Sequence, residues 1–141
     1  MAGRVMTEAN KQLVRRFVDE WLNGHDAAAF RSICTDDYVA HWGALGDGYG
    51  AKDVERMEQS VLDAFPDLQV ETEWMISEGD RVVQRSRMTG THRGEWFGVA
   101  PTGKKAEWTA VEIYRIEGGE IAEQWLSEDW TIVLQQLGAL P

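Results

Sequence analysis

The sequence predicts an α+β fold, on three observations. Apolar residues at helical spacing dominate the chain as far as Phe65, the period changes to two after Pro66, and a Gly-Gly turn joins the last two of the strands that follow. From Thr7 to Asn23, the residues Leu13, Val14, Phe17, Val18, Trp21 and Leu22 fall on one stripe, with Lys11, Arg15 and Arg16 among the other positions, and Asn23-Gly24 supplies a stop. Asp26 is placed to cap a short second helix through Ile33. Asp37 to Trp42 reads as a short extended piece leading into a glycine-rich loop, Gly43 to Gly50. In a third helix Val54, Met57, Val61, Leu62 and Phe65 share a stripe, and Pro66 forbids continuation.

Val70, Thr72, Trp74 and Ile76 then alternate with Gln69, Glu71, Glu73 and Met75, which predicts a strand with one buried face that ends at the turn Glu78-Gly79-Asp80. Arg81 to Thr91, Ala106 to Ile116 and Glu120 to Trp130 are three further strands, the last two joined by Gly118-Gly119, where positive φ is permitted at both positions. Helices followed by long antiparallel strands place the N-terminal helices over the concave face of a curved antiparallel sheet. Such a fold encloses a blind hollow lined by alternate strand residues. Residues 1–141 read as one domain, with no repeats, low-complexity tracts or linkers.

Fourteen basic against twenty-four acidic residues give a net charge of −10, which repels phosphate backbones and anionic lipid. Neither nucleic acid nor a membrane surface is an expected partner. No segment approaches the length of an apolar membrane span, and the N-terminus lacks a signal-peptide core. The single cysteine, Cys34, forms no intrachain disulfide, and the expected compartment is the cytoplasm. No Cys/His cluster has metal-ligand spacing, so no metal is expected. Seven tryptophans are a large load of rigid apolar surface, suited to a lined cavity as well as to a packed core.

The strand-like run I-A-E-Q-W-L-S-E-D-W at 121–130 carries acids among apolar residues. Alternation puts Ile121, Glu123, Trp125, Ser127 and Asp129 on one face, and a carboxylate there that faces an interior would have its pKa pushed up into the range of a proton shuttle. The alternative is that Asp129 ends the strand and caps Thr131 to Leu137. His41, beside Trp42, can hydrogen-bond a substrate oxygen or exchange a proton, and His92 in G-T-H-R-G either does the same or bonds the backbone around it. Alternation does not say which face of the second and third strands turns inward. Val83, Arg85 and Arg87 oppose Gln84, Ser86 and Met88, and Trp108, Glu112 and Tyr114 oppose Glu107, Thr109 and Val111.

Nucleophilic catalysis has little support, since no G-x-S-x-G elbow surrounds a serine and Cys34 has no activating neighbour. G-A-L-G-D-G-Y-G lacks the Lys-Ser/Thr of a phosphate loop. Acid–base work on a hydrophobic, mostly neutral small molecule remains.

The segments N-K-Q-L-V-R-R-F at 10–17, D-Y-V-A-H at 37–41, F-P-D-L at 65–68, G-T-H-R-G-E-W-F-G at 90–98, P-T-G-K at 101–104, I-Y-R-I-E-G-G-E-I at 113–121, W-L-S-E-D at 125–129 and L-Q-Q-L-G at 134–138 together resemble the SnoaL-like polyketide cyclases. These belong to the cone-shaped α+β superfamily of nuclear transport factor and ketosteroid isomerase. The resemblance implies a conical barrel, a deep apolar pocket, no cofactor and a homodimer or homotetramer. It implies intramolecular aldol closure of a polyketide-like substrate, with Asp129 at the position of the catalytic acid–base. His41 and Trp125 match pocket-lining positions, and His92 lies in a matching loop. Trp42, Trp96 and Trp108 are further candidate walls. The assisting histidine of some cyclases has no match between Ala106 and Ile116, which leaves Glu112, Tyr114 or Arg87 for that part. Hydrolase, isomerase and hydroxylation-linked activities, and a non-catalytic binding module, are the alternatives within the family.

Overall fold

The computed structural model of the chain describes residues 2–140. Helix α1 (Ala2–Arg16) runs on through a wider helical segment, Phe17–Asn23, and buries Val14, Phe17, Val18, Trp21 and Leu22. Helix α2 (Ala27–Ile33) starts where Asp26 accepts hydrogen bonds from Ala28 N (3.0 Å) and Ala29 N (3.1 Å). Strand β1 (Cys34–His41) leads into the loop that carries a short helical turn at Gly43–Leu45, and helix α3 (Ala51–Ala64) ends just before Pro66. Strands β2 (Gln69–Glu78), β3 (Arg81–Thr91), β4 (Lys105–Glu117) and β5 (Glu120–Glu128) follow, then helix α4 (Trp130–Gln136).

The strands form one curved, open sheet in the order β1-β5-β4-β3-β2. Neighbours from β2 to β5 are antiparallel; tight turns join β2 to β3 and β4 to β5, and a longer loop joins β3 to β4. β1 departs from the expected all-antiparallel sheet, because it pairs parallel with β5. A parallel pair needs a long return, and the chain between His41 and Glu120 supplies one, with α3 and three strands in it. On the outer side of β1, Tyr49 bridges to Ala40 through two backbone hydrogen bonds of 2.8 and 3.0 Å. Gly118 and Gly119 have φ of 58° and 79°, the pair of positive values that a two-residue hairpin turn needs.

Pairing settles which faces turn inward. Val82, Gln84, Ser86 and Met88 of β3 and Ala106, Trp108, Ala110, Glu112 and Tyr114 of β4 are buried under the helices, so the inner face has a polar middle. Two bulges shift the alternation. Glu73 is the extra residue between Thr72 and Trp74, and past it Trp74 (46% exposed) and Ile76 (60% exposed) turn outward, not inward as strict alternation predicts. A second bulge between Arg115 and Ile116 leaves both Ile121 and Ala122 of β5 buried. Phe65 anchors the end of α3 against the sheet, where a Cβ at Gly90 would lie 3.0 Å from Phe65 Cβ. Among the described residues no helix is long and apolar enough to cross a membrane.

Candidate active site

Between the inner face of the sheet and the helices lies a narrow hollow of about 40 Å³, which must widen to take an organic molecule. Phe17, Trp21 and Leu22 wall it from the end of α1, Trp42 and Leu45 from the glycine-rich loop, and Val70, Met88, Trp108 and Leu126 from the sheet. Into this apolar lining project Glu58, Glu112, Glu128 and Gln124.

Each acid arrives by ordinary periodicity. Glu58 sits between Val54 and Val61 on the buried stripe of α3, and is 7% exposed. Glu112 stands opposite Gln84 on β3, and its carboxylate accepts from Ser86 Oγ (2.8 Å) and Gln84 Nε2 (3.3 Å), while Thr72 Oγ1 donates to Gln84 Oε1 at 3.1 Å. Glu128 pairs with Ala110, which makes it the diagonal neighbour of both Glu112 and Trp108 on β4, about 7–8 Å away between Cα atoms. Gln124 is fixed through Oε1, which accepts from Tyr38 Oη (2.7 Å) and Trp42 Nε1 (3.2 Å).

Burial dominates the electrostatics. It alone raises the Glu58 carboxyl to about 7. It also raises Glu112 to about 7, against the hydrogen bonds from Ser86 and Gln84 that favour the charged form. Glu128 is half-buried as a whole residue, but its carboxyl lies inside near the other two acids. Burial first, then the charges of Glu112 and Glu58, hold it well above the usual carboxylate range, and the nearby Trp108 indole works the other way. All three carboxyls therefore hold their protons to higher pH than exposed carboxyls do. Among the described residues no group of three or more His, Cys, Asp or Glu side chains is arranged to hold a metal ion.

The sequence model of the SnoaL-like polyketide cyclase family matches residues 12–137. The chain belongs to this family. Among solved structures, this SnoaL-like chain is similar to AclR, a proposed hydroxylase from Streptomyces galilaeus, at 32% identity and a TM-score of 0.85 over 96% of this chain and 88% of that one. It is similar to IdmH, a proposed polyketide cyclase from Streptomyces antibioticus, at 28% identity and a TM-score of 0.84 over 92% and 98% of the two chains. A proposed SnoaL-like polyketide cyclase from Jannaschia sp. CCS1 shares 25% identity with it, at a TM-score of 0.87 over 96% and 95%. No curated protein matches the chain.

Of the residues expected at the site, this SnoaL-like fold brings Trp42, Trp108 and Glu112 together at the hollow. Asp129 is not there. It is exposed on the rim of shallow surface depressions, and its side chain caps α4 by accepting from Ile132 N at 3.2 Å. β5 turns its other face inward, so Ala122, Gln124, Leu126 and Glu128 point where Glu123, Trp125 and Asp129 were expected. His41 and Trp125 stack on the outer face at 5.5 Å between ring centroids, with the Arg81 guanidinium 5.3 Å from the Trp125 ring. The His41 ring bonds Asp47 through Nδ1 and Glu123 through Nε2 (2.7 Å), and Arg115 Nε joins Glu123 at 3.1 Å. The Glu123 bond, then the Asp47 bond, raises the His41 pKa.

His92 is fully buried, and its Nδ1 accepts from Thr102 N at 3.2 Å and lies 3.0 Å from Thr102 Oγ1, so it holds the loop after β3 and stands apart from the hollow. Arg87 is on the outer face, bridging Glu71 (2.7 Å) and Glu107 (3.0 Å). Trp96 packs in an aromatic cluster, 5.0 Å from Trp130, and Tyr114 is buried against Phe17 at 5.4 Å; neither lines the hollow. Glu58, Glu128 and Gln124 are the site residues that sequence reasoning misses. The signal for Glu58 is an acid interrupting the apolar series Val54, Val61 and Phe65 at helical spacing.

Proposed function

We propose that this chain is a cofactor-independent acid–base enzyme that closes a ring in a hydrophobic, carbonyl-bearing polyketide by an intramolecular aldol reaction. The observation that carries the reading is the set of buried carboxyls with raised pKa in one apolar hollow. Their environments separate their tasks. Glu112 keeps an ionised fraction through its two hydrogen bonds and acts as base: it takes the proton from the carbon next to a ketone, and the electron pair moves onto that ketone oxygen. The enolate carbon attacks a second carbonyl of the same molecule, and protonated Glu128 delivers its proton to the oxygen of that carbonyl. The reaction consumes no net proton. Transfer of the proton that Glu112 took to its diagonal neighbour Glu128 restores both groups. Apolar walls hold the folded-back substrate with its reacting carbons adjacent, which supplies the remaining rate advantage.

The likeness to AclR favours hydroxylation as a second reading. Product mass separates the two, since aldol closure conserves it and hydroxylation adds one oxygen. The test is single-turnover cyclisation of an aryl polyketide ester by wild type, Glu112→Gln and Glu128→Gln. Each substitution is expected to cost on the order of 10²–10⁴ in rate with the fold retained. Wild-type rates in both variants would overturn the assignment of acid and base.

A further inference from the structure

Among the described residues, the buried side-chain polar atoms without a hydrogen-bond partner are Trp21 Nε1, Thr35 Oγ1, His92 Nε2, Trp96 Nε1, Trp108 Nε1 and Tyr114 Oη. Only Trp21 and Trp108 of this set also line the hollow. An indole N–H can only donate, and a buried donor needs an acceptor. No group of the protein satisfies the Trp21 donor, and Trp108 Nε1 only approaches the Glu128 carboxyl without reaching full hydrogen-bond geometry, so both donors are open to an acceptor on whatever fills the hollow. Trp42 provides the contrast in the same hollow, because its N–H is already committed to Gln124 Oε1 at 3.2 Å.

We propose that the indole N–H groups of Trp21 and Trp108 are the two donors that seat neutral carbonyl oxygens of the ligand, one from the helical wall and one from the sheet. This rests on the reading of the hollow as a polyketide site and assigns what fixes the ligand's orientation there. The three surrounding carboxyls disfavour a carboxylate or phosphate as the acceptor and leave a neutral oxygen. Trp108 is the diagonal neighbour of Glu128 across the β4–β5 ladder. An oxygen held by Trp108 therefore lies beside the acid that would protonate it, and one held by Trp21 sets the far end of the molecule. Because both side chains also form apolar wall, packing and donation must be separated experimentally.

The experiment compares two probes of one carbon frame, 1-tetralone and tetralin, by NMR of protein labelled with ¹⁵N in its indoles. Trp21→Phe and Trp108→Phe assign the two signals. The ketone is expected to move at least one of these indole protons downfield on saturation while the Trp42 signal changes little, and tetralin is expected to cause no downfield shift at either. Replacing both side chains by 3-benzothienylalanine keeps the ring shape and removes the N–H. Tetralone binding should then weaken roughly five- to tenfold per bond lost and tetralin binding should be unchanged. Equal loss for both probes would mean packing alone. Unchanged tetralone affinity, or no saturable tetralone binding up to its solubility, would mean that water satisfies the two donors; each of these results overturns the proposal. None of the readouts uses turnover, so they stand or fall independently of the Glu112 and Glu128 rate measurements.

Discussion

Replacing Glu58 by Gln should stabilise the protein at neutral and alkaline pH and leave it nearly unaffected in acid. Glu58 is 7% exposed and has burial as the single cause of its raised pKa. Below pH 4.5 the carboxyl is protonated in both folded and unfolded chains, and its titration contributes nothing. Between 4.5 and about 7 the unfolded chain ionises while the folded protein keeps its proton, so unfolding releases a proton and rising pH favours it. Above about 7 both forms are ionised and the loss is complete. With about 1.4 kcal/mol for each tenfold difference in proton affinity, the native state gives up about 3 kcal/mol across this window. For a chain of this size that corresponds to roughly 10 °C in Tm. Urea unfolding of wild type and Glu58→Gln at about pH 4 and about pH 8 measures it. The variant's advantage should grow by about 3 kcal/mol from the acid to the alkaline series. A difference between the two proteins that is the same at both pH values would refute the reasoning, because it would mean that Glu58 titrates alike in folded and unfolded chains.

Asp129→Asn should leave both kcat and Tm close to wild type, since Asn caps a helix about as well as Asp, whereas Asp129→Ala should cost about 1 kcal/mol by thermal melts without changing the rate per folded molecule. Glu123→Gln should lower the pKa of His41 in an NMR titration, because the Glu123 bond is the first cause of its elevation. The stability that His41 contributes is full below its ordinary 6.5 and is lost as pH rises through its raised folded value, and this alkaline loss should shrink in the variant. We expect a homodimer or homotetramer in solution, formed through the outer sheet face where Trp74 and Ile76 are exposed. Sedimentation should give a multiple of 15.9 kDa, and a monomer at micromolar concentration would contradict it.

The first three helices were legible from their apolar stripes and from local signals: Asp26 before α2, Pro66 after α3, and Asn23-Gly24 after the first helical run. The antiparallel strands were legible from their alternation and from the tight turns between β2 and β3 and between β4 and β5. The parallel partnership of β1 was not, since its partner lies beyond three intervening strands and nothing local encodes it. The site failed at one step. Alternation fixes which residues share a face but not which face turns inward, and on β5 the large apolar Trp125 suggested the wrong one. That tryptophan is accommodated outside by stacking on His41 and lying under Arg81, while the inner face holds Glu128 and a Gln124 whose partners, Tyr38 and Trp42, are far away in sequence. Asp129 and Glu128 are adjacent, so a one-residue error of face separates a helix cap from a buried acid.

The bulge at Glu73 has a bearing on how this molecule behaves when crowded. β2 is the outermost strand on its side, and a straight strand there would offer a growth front onto which a neighbour's strand could polymerise. The extra residue breaks the hydrogen-bonding rhythm midway along that front, and exposed Glu71, Glu73 and Glu78 charge it. At the opposite edge, the backbone bridge from Tyr49 to Ala40 occupies part of the corresponding front on β1 with the protein's own loop. Strand-by-strand accretion is obstructed at both margins.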